Sequence, residues 1–174
     1  NPLRIGILDW LERMGADLRI SNPSRVSSEQ VTDVRVRHAQ LRAVEIPASA
    51  APAMIDEYPL LAVAAAFASG TSLFHGLGEL RVKESDRLAT IADGLSACGV
   101  EASIDGDTLR VTGGPVAGGA VRTQDDHRIA MAFLVLGLGA RGPVSVDSAE
   151  MIAASFPGFI AAMQGIGARI EESE

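Results

Sequence analysis

Charged residues crowd the start of a predicted helix. In RVKESDRLATIADGL, Arg81, Lys83, Glu84, Asp86 and Arg87 fill five of seven positions just before an amphipathic pattern. We expect Ser85 to be the N-cap, because its hydroxyl can accept from free backbone amides, and Asp86 to suit the positive end of the helix dipole. Free amides flanked by cations predict a carboxylate or phosphate site. A solvated, purely structural helix entrance is the alternative.

A second predicted helix entrance, TQDDHRIAMAF, repeats this arrangement. Asp125 or Asp126 can cap the helix, and His127 and Arg128 then occupy its first turn. A cation in the first turn opposes the helix dipole, so arginines at two helix starts need an explanation. A bound anion provides one, because it neutralises the guanidinium and accepts the free amides together. The alternative is an arginine that extends into water.

A third entrance carries a lone carboxylate in PAMIDEYPLLAVAAA. Pro59 is tolerated only near a first turn, which places Asp56 close to the N-cap of an apolar helix. A structural cap is the simplest interpretation of Asp56. If an internal repeat brings the three entrances to one side of the domain, however, Asp56 faces both cationic sites. It would then be held ionised, ready to accept a proton.

An internal repeat supports that geometry. Three segments share the order helix, stopping glycine and strand, with the glycines at Gly15, Gly99 and Gly167. Two further segments run from an acidic start through an apolar helix to a β-rich stretch, and their first aspartates, Asp56 and Asp126, lie 70 residues apart. The predicted unit is βαβαββ, with strands near 44–46, 71–74, 100–104 and 107–112 and helices near 57–68 and 86–98.

The repeat predicts an α/β protein whose apolar helices lie inside and whose sheets lie outside. Residues 1–37 are the expected remnant of an earlier unit, 38–114 a full unit and 115–174 the last unit, all within one globular domain. The chain begins without Met inside a helical pattern that includes Leu3, so we expect a fragment of a longer protein.

Composition excludes several classes of protein. A formal net charge of −7 argues against a general nucleic-acid or membrane surface, because phosphate-rich partners require excess Lys and Arg. The single Cys98 excludes an internal disulfide, and three scattered histidines give no zinc spacing. Every apolar run is shorter than the roughly 20 residues that cross a bilayer. We therefore expect a soluble, cytoplasmic protein.

Four segments together resemble the C-terminal part of the 5-enolpyruvylshikimate-3-phosphate synthase family: LRVKESDRLATIADGL, MIDEYPLLAVAAAFASG, DDHRIAMAFLVLGL and SFPGFI. The resemblance covers nearly the whole chain and implies half of an enolpyruvyl-transferase-type inverse α/β barrel. It also implies transfer of the enolpyruvyl group of phosphoenolpyruvate to the 5-hydroxyl of shikimate 3-phosphate, with release of phosphate. No metal or organic cofactor is implied. The expected enzyme is a monomer whose N-terminal half completes the site, so the chain alone should be inactive.

The resemblance also implies roles for individual residues. Asp56 would handle the hydroxyl proton, and Glu84 would be the acid and base at the methylene carbon. Lys83 and Asp56 would contact shikimate 3-phosphate. The expected phosphoenolpyruvate contacts are Arg87, Arg128 and His127.

Two positions depart from the family pattern. Ala154 stands where many members have Lys, and Glu79 where Asn is common.

The sequence leaves two other functions open. A UDP-N-acetylglucosamine enolpyruvyl transferase would share the fold and chemistry, but its usual loop cysteine has no match here. The chain could also be a folded, non-catalytic module that binds anions or a partner half.

Overall fold

The computed structural model describes residues 5–172. The helices are α1 (Gly6–Arg13), α2 (Tyr58–Ala66), α3 (Arg87–Ala97), α4 (His127–Gly137), α5 (Glu150–Ser155) and α6 (Phe159–Gly165). The strands are β1 (Asp17–Val26), β2 (Glu29–Arg37), β3 (Glu45–Ile46), β4 (Thr71–Phe74), β5 (Glu101–Asp105), β6 (Thr108–Thr112), β7 (Gly119–Val121) and β8 (Val144–Val146). Short 3-10 turns span Ala48–Ala53, Ile55–Glu57 and Gly78–Val82.

The middle of the chain forms one complete βαβαββ unit. Its sheet has the order β3-β4-β6-β5, in which β3 is parallel to β4 and the other pairs are antiparallel. Helix α2 connects β3 to β4, and α3 connects β4 to β5. The strands and helices of this unit lie within two residues of their predicted bounds. Two smaller sheets, the antiparallel pair β1-β2 and the parallel pair β7-β8, flank it in sequence.

The core forms around α2, α3 and α4. Helix α2 is apolar on every side, and seven of its nine residues are buried, so it lies within the structure instead of on its surface. It packs against both α3 and α4. Strand β6 alternates, with Leu109 and Val111 buried and Arg110 exposed between them. The sheet therefore covers the helices, as the α/β prediction requires.

A glycine sets the spacing of α3 and α4. A Cβ atom on Gly94 would lie only 2.4 Å from Cζ of Phe133, far inside van der Waals contact. The ring of Phe133 therefore packs against α3 at Gly94, where no side chain blocks it. This close packing fixes how the two helices, and hence their N-termini, lie relative to each other.

The last part of the chain departs from the predicted pattern. The helical stretch near its end is divided into α5 and α6, with Pro157 between them, because proline has no backbone N–H to continue a helix. Residues 168–172, where the pattern predicts a strand, form none, since no neighbouring strand pairs with them within residues 5–172. Leu3 lies outside the described residues. The unit boundaries at 37/38 and 114/115 stay a prediction.

Among residues 5–172, no helix combines the length and apolar composition that a membrane span requires.

Cys98 is buried at the end of α3, and burial raises the pKa of its thiol. A raised pKa disfavours the thiolate, the nucleophilic form, so Cys98 fits a packing role.

Candidate active site

Three helix entrances converge on one cluster of charges. Asp56 lies in the 3-10 turn ahead of α2, Lys83 and Glu84 lie in the segment ahead of α3, and Arg87 is the first residue of α3. Arg128 is the second residue of α4. The fold brings these five side chains together, and we call them the charge cluster.

Arg87 lies at the centre of the charge cluster, with a side chain only 1% exposed. Its Nε donates to Asp126 Oδ2 at 2.6 Å, and its Nη1 donates to Asp56 Oδ1 at 2.9 Å. Its Nη2 lies 2.5 Å from Glu84 Oε2. Burial opposes the charge on Arg87, but the hydrogen bond and charge of Asp126 raise its pKa above the ordinary value. Arg87 is therefore a fixed, permanent cation.

Asp56 faces three cations instead of capping a helix. Besides Arg87, Lys83 Nζ lies 3.7 Å from Oδ1 and Arg128 Nη2 lies 3.7 Å from Oδ2. Arg128 Nη1 also donates to the backbone oxygen of Asp56 at 3.3 Å. The N-cap of α2 is Glu57, and no side chain caps it. The Asp56 carboxylate is 30% exposed, so it is open to a ligand while its charge is balanced.

Glu79, a departure from the family pattern, pairs with Lys83. Its Oε1 lies 2.7 Å from Lys83 Nζ, one helical turn away in sequence. The hydrogen bond to Glu79 raises the pKa of Lys83 above its ordinary value, and the charge of Asp56 adds to this effect. Lys83 is therefore protonated at neutral pH and directed toward both carboxylates.

Asp126 has a larger role than the cap that its sequence position suggested. As the N-cap of α4 it accepts from the backbone N–H of Arg128 at 2.9 Å. It also accepts from Ser85 Oγ at 3.2 Å, and it is completely buried. Burial alone would raise the pKa of Asp126, but the hydrogen bond and charge of Arg87 lower it below the ordinary carboxyl value. The carboxylate is ionised and fully partnered.

The predicted Ser85 cap is wrong. Asp86 is the N-cap of α3, and its carboxylate accepts from the backbone N–H of Ala89 at 3.0 Å. Ser85 lies one position too early, and its hydroxyl donates to Asp126 instead. The prediction that Asp125 or Asp126 caps α4 is confirmed for Asp126.

Two predicted positions lie apart from the hydrogen-bonded network. His127 begins α4 and is half-buried, and within the described part of the chain its side chain makes no hydrogen bond or ion pair. Ala154 lies on the exposed side of α5. Residues 5–172 also contain no group of three His, Cys, Asp or Glu side chains placed to hold a metal ion.

Contacts that the sequence did not predict fix the segment with Lys83 and Glu84. Arg81 Nη2 donates to the Gly106 carbonyl at 2.7 Å, and its Nε lies 3.4 Å from Asp107 Oδ1 in the β5–β6 turn. Arg81 Nη1 lies 3.6 Å from Asp86, the cap of α3. Arg81 thus ties the segment to the sheet.

The loop before α4 is held in a similar way. Both the backbone N–H and the hydroxyl of Thr123 donate to Asp147 Oδ1, at 2.7 and 2.9 Å. Asp147 directly follows β8, so this pair anchors the loop to the small parallel sheet.

Solved structures place this fold among the enolpyruvyl transferases. EPSP synthase from Acinetobacter baumannii matches with a TM-score of 0.95 and 37% identity over 100% of this chain and 41% of that chain. The enolpyruvyl transferase NikO from Streptomyces tendae matches with a TM-score of 0.69 and 24% identity over 98% and 36% of the two chains, a likeness of fold alone.

The sequence comparisons narrow this class to one family. The family model of EPSP synthase (3-phosphoshikimate 1-carboxyvinyltransferase) matches residues 1–163. Relatives named 3-phosphoshikimate 1-carboxyvinyltransferase from Methylorubrum extorquens and Rhodospirillum rubrum are 57% and 55% identical over 99% and 98% of this chain. The chain therefore belongs to the EPSP synthase family. It spans 39% and 38% of the length of these relatives.

Proposed function

We propose that this chain supplies one part of an active site that transfers the enolpyruvyl group of phosphoenolpyruvate to the 5-hydroxyl of shikimate 3-phosphate. The observation that carries the proposal is the Asp56 carboxylate, which faces Lys83, Arg87 and Arg128 within 4 Å. Two phosphorylated substrates require concentrated positive charge, and a hydroxyl nucleophile requires a base. The charge cluster offers both.

Asp56 is the proposed base. The 5-hydroxyl oxygen forms a bond to C2 of phosphoenolpyruvate, and Asp56 takes the hydroxyl proton. The three neighbouring cations all lie within 4 Å of this carboxylate. Lys83, whose Nζ lies 3.7 Å from Asp56 Oδ1, is the proposed contact of shikimate 3-phosphate beside that base.

Glu84 is the proposed acid and base at the methylene carbon. During addition, C3 of phosphoenolpyruvate gains a proton from Glu84. During elimination, C3 returns a proton to Glu84 while the C2–O bond to phosphate breaks. The leaving phosphate takes the proton that Asp56 accepted, so both carboxyl groups regain their starting states. Arg87 and Arg128, with His127 beside them, are the proposed partners of the carboxylate and phosphate of phosphoenolpyruvate. Fixed cations of this kind stabilise developing negative charge, at about 3 kcal/mol per donor.

The proposed partner of this chain is the rest of the relatives' length, which would form the N-terminal half and also complete this domain. The hairpin β1-β2 has an apolar face formed by the pairs Leu18–Val36 and Ile20–Val34. Ile20, Val34 and Val36 are 51%, 43% and 64% exposed. In the central unit the corresponding pair β5-β6 is extended by β4 along the edge of β6. If the hairpin β1-β2 follows the same repeat, β2 corresponds to β6. Its edge would then pair with a further strand, and the apolar face of the hairpin would cover a helix.

A single-chain chimera tests the proposal. This chain replaces the matching 39% of the Methylorubrum extorquens relative, and release of phosphate from phosphoenolpyruvate is measured with shikimate 3-phosphate. We expect turnover by the chimera and by the chain mixed with the separately produced remainder. The chain alone should give no turnover.

Asp56→Asn in the chimera should lower kcat by about 10² to 10⁴, the usual contribution of a general base. Asp93→Asn is the matched control, because Asp93 is an exposed carboxylate on α3. A folded chimera without turnover, or equal activity of Asp56→Asn and Asp93→Asn, would contradict the proposal.

A further inference from the structure

We propose that Asp126 is a positioning residue that holds the two arginines at the entrances of α3 and α4 in one fixed relation. Neither the predicted site residues nor the proposed roles above include it. The inference rests on the proposed function, in which Arg87 and Arg128 bind the two ends of phosphoenolpyruvate.

The contacts of Asp126 join both helix entrances through one carboxylate. Oδ2 accepts from Arg87 Nε at 2.6 Å and from Ser85 Oγ at 3.2 Å. Oδ1 accepts from the backbone N–H of Arg128 at 2.9 Å and from Arg87 Nη2 at 3.4 Å. Three of these donors belong to the α3 entrance and the fourth to the first turn of α4. The carboxylate thus links the Arg87 guanidinium to the backbone of Arg128.

Burial makes this link rigid. Asp126 is 0% exposed and the Arg87 side chain is 1% exposed, so neither can exchange its partner for water without leaving an unpaired charge in the interior. Asp126 therefore determines where the Arg87 guanidinium stands and where α4 begins.

A fixed separation matters for a ligand held at both ends. When a small anion bridges two cations, a misplacement of about 1 Å can cost on the order of 10² in rate, because the reacting atoms leave their aligned geometry.

The alternative is that the buried Arg87–Asp126 ion pair contributes only to the stability of the fold. The two roles differ in what they affect: a positioning role changes phosphoenolpyruvate binding selectively, whereas a purely structural role changes only the free energy of unfolding.

The test compares three variants of the chimera. Asp126→Asn keeps the shape of the side chain but places an amide N–H₂ against donors of Arg87 or Arg128. Ser85→Ala removes one hydrogen bond to Asp126 and leaves both arginines intact. Asp147→Asn is the control, because Asp147 anchors the same loop through Thr123 and contacts neither arginine. For each protein we would measure kcat, the KM of both substrates and the free energy of unfolding.

We expect Asp126→Asn to raise the KM of phosphoenolpyruvate about tenfold or more, the scale of a lost hydrogen bond to a charged group. The KM of shikimate 3-phosphate should stay within about twofold, and Ser85→Ala should shift the phosphoenolpyruvate KM in the same direction by about two- to threefold. Asp147→Asn should leave the ratio of the two KM values unchanged.

Equal changes in both KM values, or the same change in Asp147→Asn, would overturn the inference. If Asp126→Asn does not fold, the Ser85→Ala variant decides alone, and an unchanged ratio of the two KM values in that variant would overturn the inference.

An unsubstituted chimera without turnover would instead refute the proposed function. Calorimetric binding of phosphoenolpyruvate, with shikimate 3-phosphate present, would then decide whether Asp126→Asn weakens that anion selectively. Equal binding by both proteins, or no binding by the unsubstituted chimera, would overturn the positioning role too.

Discussion

The Glu84 carboxylate lies directly against the Arg87 guanidinium, with 2.5 Å between Oε2 and Nη2. Asp126 and Asp56 occupy the other two nitrogens of the same guanidinium. An anionic ligand of Arg87 must therefore compete with a carboxylate of the protein. Glu84 is the candidate to move, because its side chain is 54% exposed, whereas Asp126 is buried.

Glu84→Gln tests this competition in the chimera. The neutral amide binds Arg87 less strongly, so we expect the dissociation constant of phosphoenolpyruvate to fall a few-fold, about 1 kcal/mol of binding. Without the acid and base, kcat should fall by about 10² or more. Calorimetry and steady-state kinetics separate these effects, with Glu101→Gln on exposed β5 as the control. Weaker phosphoenolpyruvate binding in Glu84→Gln would show that Glu84 does not compete for Arg87.

Gly94→Ala should destabilise the fold despite the better helix propensity of alanine. The new Cβ would lie 2.4 Å from Cζ of Phe133, and overpacking of this kind costs about 1 to 3 kcal/mol. The gain in helix propensity, about 1 kcal/mol, offsets only part of this cost. Urea unfolding should show a net loss of up to about 2 kcal/mol.

Gly165→Ala is the control for Gly94→Ala, and we expect it to cause no loss of stability. Nothing lies within 4 Å of a Cβ at Gly165, the last residue of α6, so this change should be neutral or slightly stabilising. The double variant Gly94→Ala/Phe133→Leu should recover part of the loss, because the smaller side chain relieves the contact. Equal stabilities of Gly94→Ala and Gly165→Ala would refute the packing argument.

Tyr58→Phe should leave the free energy of unfolding unchanged or raise it by up to about 1 kcal/mol. The Tyr58 hydroxyl is buried and makes no hydrogen bond within residues 5–172, and burial raises its pKa to about 12. Its ring packs edge-on against Phe74 with the centroids 5.9 Å apart, and phenylalanine preserves that contact. A loss above about 1 kcal/mol in thermal or urea unfolding would mean that the hydroxyl has a stabilising partner.

Asp147 should contribute a pH-dependent part of the stability. Burial alone would raise its pKa, but the backbone N–H and hydroxyl of Thr123 lower it below the ordinary carboxyl value. Because the folded-state pKa lies below the unfolded one, this stabilisation is present above an ordinary pKa near 3.9 and is lost as the pH falls further. Asp147→Asn should therefore be less stable than the unsubstituted protein at pH 7. The difference should shrink toward pH 3 in urea titrations, and a constant difference would exclude the carboxylate as its source.

Periodicity predicted the parts of this fold that have local causes. The apolar helix α2, the glycine stop after α3 and the alternation of β6 each follow from residues close in sequence, and their bounds agree with the structure. The strand expected near residues 168–172 requires a neighbour to pair with, which no local pattern reveals.

The candidate site was predictable only in part for the same reason. Arginines at helix starts drew attention to Arg87 and Arg128, because they oppose the helix dipole. Asp126 carries an equally clear cap signal, but its contact with Arg87 spans 39 residues and left no trace in a single sequence. The acidic pair ahead of Arg128 was the only available hint.

Two ion pairs at the charge cluster, Glu79–Lys83 and Arg87–Asp126, differ in burial and should therefore differ in their response to ionic strength. Salt weakens ion pairs between exposed side chains and reaches buried pairs much less. Glu79, which holds Lys83, is 57% exposed, whereas Arg87 and Asp126 are 1% and 0% exposed. Added salt should therefore weaken the Glu79–Lys83 pair and leave the Arg87–Asp126 pair almost unchanged.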